Sequence, residues 1–405
     1  MDISLLIQEL SNKGIKLSLD NDDLKIQAPK GVISPEIKEQ LSINKSEIIN
    51  YLKNNDSYNN LDFSLFFFAS DDSIEDNSKY KLIIDASIFA DNNNFKGIWT
   101  PERHFNDIGG LSPNPSIIAS ALSTITKNIK LRAGSVVLPL HDPIRVVEEW
   151  SVIDNISNGR IELSFASGWH IDDFVFSPDK YFNRKEYMFN EIDIIKKLWS
   201  GESIERKNGG NKIIKIFTHP KPIQKDLPIW VTAIGNPDTY IKAAEGGYNL
   251  MTCLLDQDIY ELEEKIKIYK NTLEKNGYDS NSKKIAVFTH TFIGDDYEQV
   301  IKKVKKPFTN YLEKTLNLIG KIGQSTGIEI NTESMNQEDK ETVLNFAFDR
   351  YIENRTLIGT KDSCFKTLKQ LEKIGVNEIA CLIDFGLSYS DVMGSLNLLK
   401  KYLAQ

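Results

Sequence analysis

Eight short apolar runs separated by amphipathic stretches constrain this chain more than any other feature. The runs are Phe63–Phe68, Gly97–Thr100, Leu131–Leu138, Ile161–Phe165, Ile229–Ala233, Leu250–Cys253, Ile285–Ile293 and Ile379–Ile383. Between them, Tyr80–Asp91, Ser116–Ser123, Glu186–Trp199 and Asp258–Lys275 repeat apolar residues at helical spacing. Alternating strands and helices imply parallel pairing, because a parallel neighbour is reached only through a crossover. Eight such units imply an α/β fold closed as a (β/α)₈ TIM barrel. A doubly wound sheet is the alternative, but no glycine-rich turn opens the first helix. The chain has 405 residues, 40% of them hydrophobic. That accommodates a barrel of ~250 residues plus further material. Lys207-Asn-Gly-Gly-Asn211 reads as a hairpin turn after the fourth helix. Residues 307–346 are too long for a plain connection and read as helices flanking the mouth of the site.

The first fifty or so residues follow a different grammar. Ile3, Leu5, Leu6 and Leu10 share a helical face, and Gly14 follows as a helix stop. Ile15, Leu17 and Leu19 alternate with polar residues, Asp20–Asp23 turns, and Leu24-Lys-Ile26 returns, which is a hairpin pattern. Ser34-Pro35 caps a short helix, and Ser46–Lys53 continues helical. The polar run Asn54–Asn60 reads as a linker. The expected organisation is therefore a small αββαα domain at 1–55, a linker at 56–60 and the barrel at 61–405.

The net charge of −8 and the pI near 5.4 argue against nucleic acid or an acidic membrane surface as partners. Cys253, Cys364 and Cys381 have neither metal-ligand nor disulfide-framework spacing, which fits a reduced cytoplasm. The opening residues lack a basic start followed by a long apolar run, so no signal peptide is expected. No stretch is long and apolar enough to span a bilayer.

A TIM barrel places chemistry at the C-terminal ends of its strands. Those ends carry Thr100-Pro-Glu102-Arg103-His104-Phe, Ala133-Gly134-Ser135-Val, His141-Asp-Pro, Ala166-Ser167-Gly168-Trp169-His170, Gly235-Asn236-Pro-Asp-Thr239, Thr289-His290-Thr and Asp384-Phe-Gly. Four of the five histidines fall on this face. In Gly235–Thr239 a glycine turns the chain, Asn236 is placed to cap and Pro237 suits the first helical position. Such a helix start binds a phosphate, and it is equally an ordinary helix cap. Ser167-Gly168 on the neighbouring loop would share the anion, since glycine permits close backbone approach. Glu102-Arg103-His104 reads evenly as an ion-paired strand end or as catalytic machinery. His104, His141, His170 and His290 could supply three zinc ligands, but no His-x-His or His-x-x-x-His pair occurs, and no metal is expected.

The residues then match a known family. Phe95-Lys-Gly-Ile-Trp-Thr-Pro-Glu-Arg-His-Phe105 with Gly110–Pro115 resembles the second strand and loop of the bacterial luciferase-like monooxygenases. The resemblance continues through Gly134–Pro139, His141–Arg145, Glu148–Asp154, Ser157–Arg160, Ala166–Trp169, Tyr181–Arg184, Pro228–Trp230 and Ala243–Gly247. The Thr-Pro-Glu-Arg-His form and the ending Asn377–Gly386 resemble a branch found in polyketide and non-ribosomal peptide pathways. Separately, the N-terminal unit, with its Leu-x-x-Leu start and Ala28-Pro-Lys-Gly31 before Ser34-Pro35, resembles the TubC-type docking domain of such assembly lines.

The resemblance implies reduced FMN and O₂ as co-substrates. It implies Ser167, Gly168, Gly235, Asn236 and Thr239 around the phosphate, with Ala166 and a non-prolyl cis peptide at Gly134–Ser135 beside the flavin ring. His104 is then a proton donor or acceptor, with Arg103 as electrostatic clamp and Glu102 beside them. Trp169, His170, His141 and His290 line the substrate side. Two departures matter. Luciferases carry a catalytic histidine where this chain has Arg103, and arginine has no acceptor atom and stays protonated, so it cannot act as a base. It can stabilise a developing anion or hold a carboxylate or phosphate. The reactive-cysteine position of luciferases is Ala166 here, so light emission is not expected. No dinucleotide fingerprint is present, which implies a separate flavin reductase. The implied function is hydroxylation of, or oxygen insertion into, a polyketide or non-ribosomal peptide intermediate on a carrier protein. The partner synthase or synthetase would be reached through residues 1–55, and a homodimer is among the expected states. An F420-dependent oxidoreductase on the same barrel, or a non-catalytic flavin-binding or docking scaffold, are the alternatives.

Overall fold

The structure, a computed structural model, describes residues 3–20, 23–29, 31–55, 61–69, 79–255, 257–326 and 336–403. The chain divides into two compact units, residues 1–60 and 61–405.

In the first unit, α1 (Ile3–Asn12) ends before Gly14, whose φ of +77° is the left-handed turn that glycine takes freely. β1 (Lys16–Asp20) and β2 (Asp23–Gln27) pair antiparallel, with Leu17 opposite Ile26. Two residues of the expected turn, 21 and 22, lie outside the described residues. Ser34 caps α2 (Pro35–Ile43) by accepting the Ile37 N–H at 3.3 Å. α3 (Lys45–Asn55) runs two residues into the stretch read as linker, and the rest of that linker, 56–60, lies outside the described residues. Leu6, Leu10, Ile15, Ile37, Leu41 and Ile48 form a core of this unit's own.

The second unit is the barrel. Its elements are β3 (Asp62–Phe66), α4 (Lys81–Asn92), β4 (Gly97–Thr100), α5 (Pro115–Ile125), β5 (Lys130–Val137), α6 (Pro143–Ser157), β6 (Ile161–Ala166) and α7 (Arg184–Trp199). A hairpin follows, β7 (Ile204–Lys207) and β8 (Ile213–Ile216). Next come β9 (Ile229–Thr232), α8 (Pro237–Glu245), β10 (Asn249–Cys253), α9 (Ile259–Lys275), β11 (Ile285–Ile293), α10 (Tyr297–Thr326) and α11 (Gln337–Asn354). The chain finishes with β12 (Leu357–Gly359), α12 (Lys361–Lys373), β13 (Glu378–Leu382) and α13 (Tyr389–Tyr402). Each of the eight apolar runs forms one barrel strand, in the parallel order β3-β4-β5-β6-β9-β10-β11-β13, closed by β13 on β3. The ninth strand, β12, lies along the end of β11 and is too short to announce itself in the sequence.

The N-terminal half of the barrel is plugged by a buried charged layer. Arg132 of β5 binds Glu378 of β13 and donates from Nε to Glu162 of β6 at 2.8 Å. Trp99 and Trp230 meet edge to face at 5.1 Å, and Arg132 lies over both rings. Trp230 donates to Glu162, and Ser64 donates to Glu378.

The insertion takes the helical form expected, as α10 and α11, with residues 327–335 outside the described residues. α10 already begins at Tyr297 and passes through Pro307. Phe308 and Tyr311 on it pack against His290 of β11, both with ring centroids at 4.8 Å.

Candidate active site

Beyond β4 the chain stays tied down through Pro101–His104. The Arg103 N–H donates to Ser112 O at 3.1 Å, and the Ser112 hydroxyl donates to Pro101 O at 2.7 Å. This holds Glu102 under the barrel mouth with its carboxylate fully buried. After β5 a single 3₁₀ turn, Leu138–Leu140, delivers His141 just before Asp142 caps α6. The two segments meet at one atom. Glu102 Oε1 lies 2.6 Å from His141 Nε2 and 2.9 Å from His104 Nε2, while Oε2 accepts the Val137 N–H at 2.7 Å.

Burial alone would raise the Glu102 carboxyl, but the hydrogen bonds from His104, His141 and the Val137 N–H hold it below the ordinary carboxylate range. Burial alone would lower His141, but its hydrogen bond and attraction to Glu102 raise it. An ionised Glu102 only accepts, so both imidazoles present Nε2–H to it. A ring that is neutral then offers Nδ1 as a proton acceptor. The cluster sets one buried carboxylate against two histidines, an arrangement that suits proton uptake or release at an imidazole Nδ1.

Arg103 points elsewhere. Its Nη1 pairs with Asp173, which arrives on the 3₁₀ segment Ile171–Phe176 after β6. The Trp169 ring covers the guanidinium at 4.9 Å. Nε and Nη2 of Arg103 are buried with no protein partner. Two unpaired buried donors cost about 1–3 kcal/mol each. His170 Nδ1 lies 3.9 Å from Asp173. The same segment places Phe176 edge-on to His104 at 4.9 Å and shields it from one side. An open groove of about 600 Å³ borders it, lined by Phe105, Ile171, Phe174, Val175, Tyr181 and Phe182. Arg184 staples this stretch at both ends, donating to Gly168 O at 3.1 Å and Tyr181 O at 2.9 Å.

The remaining expected residues fall into three places. The Gly134–Ser135 bond is cis, and the Ser135 hydroxyl meets those of Thr232 and Ser164 at 2.5 and 3.3 Å. Ala166, Ser167 and Gly168 leave β6, the strand next to β9, so their loop neighbours Gly235–Thr239 in barrel order. Asn236 caps α8 by accepting the Asp238 N–H at 2.8 Å, and Pro237 takes the first helical position. That cap already uses one of the amides expected for a phosphate. The Thr239 hydroxyl, half-buried one turn in, and the Gly235–Asn236 backbone remain. Glycine at 168 fits a cofactor loop on steric grounds. Its φ is +76°, and a Cβ there would sit 2.8 Å from Val137 and 2.9 Å from Phe174. Gly168→Ala is therefore expected to destabilise the protein by about 1–3 kcal/mol. Denaturant midpoints check this.

His290 stands apart from the other histidines. Phe308, Tyr311 and Phe385 surround it, and burial pushes its pKa down to about 3, so it is neutral. It is a member of an aromatic wall rather than of the Glu102 cluster. Among the described residues, no group of three or more His, Cys, Asp or Glu is arranged to hold a metal.

Asp173 escaped sequence reasoning, and Asp384 was read only as a strand end with no role of its own. Asp173 sits in a loop whose only signal is a pair of acids within an apolar stretch. Asp384 accepts the N–H groups of Phe68 at 2.8 Å and Ala69 at 2.9 Å, joining the ends of β13 and β3. Burial outweighs those bonds and pushes Asp384 up to about 7.

Two family models match this chain. Residues 3–54 match the TubC N-terminal docking domain, and residues 62–378 match the luciferase-like monooxygenases. The oxygenase component of the flavin-dependent trigonelline monooxygenase of Acinetobacter baylyi is 27% identical over 342 residues, covering 82% of this chain and 92% of that one. The oxygenating constituent of 3,6-diketocamphane monooxygenase from Pseudomonas putida, solved with FMN, superposes with a TM-score of 0.68 at 16% identity. It covers 85% of this chain and 98% of its own. The F420-dependent tetrahydromethanopterin reductase of Methanopyrus kandleri shares the fold at a TM-score of 0.65, with 16% identity and the same coverage. No helix among the described residues is long and apolar enough to cross a membrane. The family match spans well over half of the chain and takes in every barrel strand from β3 to the start of β13, and the chain therefore belongs to the luciferase-like monooxygenase family.

Proposed function

We propose that this protein uses reduced FMN and O₂ to hydroxylate, or insert oxygen into, an acyl or aminoacyl intermediate of a polyketide or non-ribosomal peptide assembly line. The observation that carries the reading is the buried Glu102 carboxylate joining His104 and His141 at the barrel mouth. Bound reduced FMN supplies the electrons that activate oxygen; the protein contributes binding, proton handling and exclusion of water. Ser167, Gly168, Gly235, Asn236 and Thr239 would hold its phosphate, and Gly134, Ser135 and Ala166 would border its ring. His104 gives or takes the proton at Nδ1, and Glu102, held ionised by His141, stabilises the charged ring. Trp169 and His170 shape the substrate side.

The flavin-dependent relative from Acinetobacter baylyi favours FMN over F420, since the F420 enzyme shares only the fold. Its description as an oxygenase component supports a separate reductase as electron source. The cofactor assignment is tested by anaerobic titration with reduced FMN and with reduced F420. Tight binding of FMN alone is expected; preference for F420 would reject the reading.

The docking part rests on residues 3–54. Deleting residues 1–55 is expected to leave flavin binding unchanged and to lower product formation in the native pathway at least tenfold. Unchanged product formation would reject docking through this unit.

A further inference from the structure

We propose that the open edge of Arg103 is the receptor for a carboxylate on the substrate, so that the enzyme selects acyl chains bearing a free carboxylate besides their point of attachment. The inference rests on the reading of this cluster as the substrate side of the flavin site.

A guanidinium has two forks. The end-on fork uses Nη1 and Nη2, and the side-on fork uses Nε and Nη2, whose parallel N–H bonds match the two oxygens of a carboxylate. In this protein Asp173 holds Nη1, while Nε and Nη2 are both buried and unpartnered. The occupied and open nitrogens therefore divide along the side-on fork. Arg103 is 2% exposed, so water does not freely satisfy that edge. Buried guanidinium donors are ordinarily paired, and an open pair points to a ligand that pairs them.

The surroundings fix its orientation. Asp173 pulls from Nη1, Trp169 covers the face at 4.9 Å, and the backbone of residue 103 is anchored to Ser112. A Cβ on Gly109 (φ +73°) would lie 3.1 Å from the Arg103 Cβ, so that loop leaves the side chain little room to shift. Asp173, which holds Arg103, lies on the same 3₁₀ segment as Phe176, whose ring meets His104 at 4.9 Å, so a carboxylate gripped there lies near the histidine cluster. A planar monoanion suits a single two-donor edge. A phosphate dianion needs more donors than this edge offers. Asp173 already balances the arginine, so an added carboxylate needs a compensating proton. Burial raises the Asp173 carboxyl despite the neighbouring Arg103, the direction that proton uptake requires.

The test uses the full chain without flavin and benzoate as the probe, followed by calorimetry. Benzoate is expected to bind at least tenfold more tightly than its neutral isostere benzamide and more tightly than inorganic phosphate. Arg103→Lys keeps the charge but loses the fork, and is expected to weaken benzoate at least tenfold while leaving FMN affinity within about threefold. Equal binding of benzoate and benzamide would overturn the proposal. So would tighter phosphate binding, or undiminished benzoate binding by Arg103→Lys. Loss of FMN affinity in Arg103→Lys would reassign the edge to the cofactor and overturn it as well. The benzoate–benzamide comparison on the unmodified protein stands even if the variant does not fold. Because benzoate is titrated without flavin, its failure leaves the FMN assignment intact, and failure of FMN binding leaves the benzoate result readable.

Discussion

Replacing Arg132 with methionine is expected to lower the stability of the barrel by about 3–5 kcal/mol, the usual consequence of leaving buried charge without its partner. Burial alone would lower the Arg132 pKa, but Glu162 and Glu378 together raise it and keep the guanidinium charged inside the barrel. Methionine fills similar volume against Trp99 and Trp230, so packing is largely kept. The loss comes from two carboxylates. Glu378 would retain Ser64 and Trp99 as donors, and Glu162 would retain Trp230, but neither would have a countercharge. Combining Arg132→Met with Glu162→Gln and Glu378→Gln removes both stranded charges and is expected to recover most of the loss. Denaturant unfolding of the single and triple variants measures this. A loss under about 1 kcal/mol in Arg132→Met would show that the layer is not an electrostatic unit.

Glu102→Gln is expected to lower kcat by about 10²–10⁴-fold, the range associated with positioned proton transfer. Glutamine is nearly isosteric and still accepts the Val137 N–H, but it cannot accept two imidazole donors as an anion. The same variant has a pH signature. His141 is raised above its ordinary 6.5, so its contribution to stability is complete below that value and is lost as pH rises through the folded pKa. Glu102 is held below its ordinary 4.5, so its contribution is present above that value and is lost as pH falls through the folded pKa. The stability difference between the unmodified protein and Glu102→Gln is therefore largest between roughly pH 4.5 and 6.5 and shrinks on both sides. Melting temperatures across that range test the pairing independently of catalysis. NMR titration should show the His141 pKa falling in the variant.

The fold was legible because period and punctuation agreed. Apolar runs such as Ile161–Phe165 and Ile229–Ala233 are largely buried, as parallel strands are, and capping signals such as Ser34-Pro35 and Asn236-Pro237 start helices where expected. β12 escaped because a three-residue strand carries no period. At the site, strand-end residues could be read because a barrel gathers them at one face. Glu102, His104 and His141 come together in this way. His290 fell outside the cluster because the face it lines depends on how α10 packs, which residue type alone does not reveal. Asp173 was invisible for the complementary reason. Its importance comes from Arg103, 70 positions earlier in the chain.

In the proposed reaction this barrel lets reduced flavin meet oxygen under the protection of the protein. The most direct measurement mixes the anaerobic complex of the full chain and reduced FMN rapidly with O₂ while recording flavin absorbance. A transient spectrum is expected, distinct from reduced and oxidised FMN and lasting seconds, with Glu102→Gln altering its lifetime. Reoxidation in a single step at the rate of free reduced FMN would contradict it.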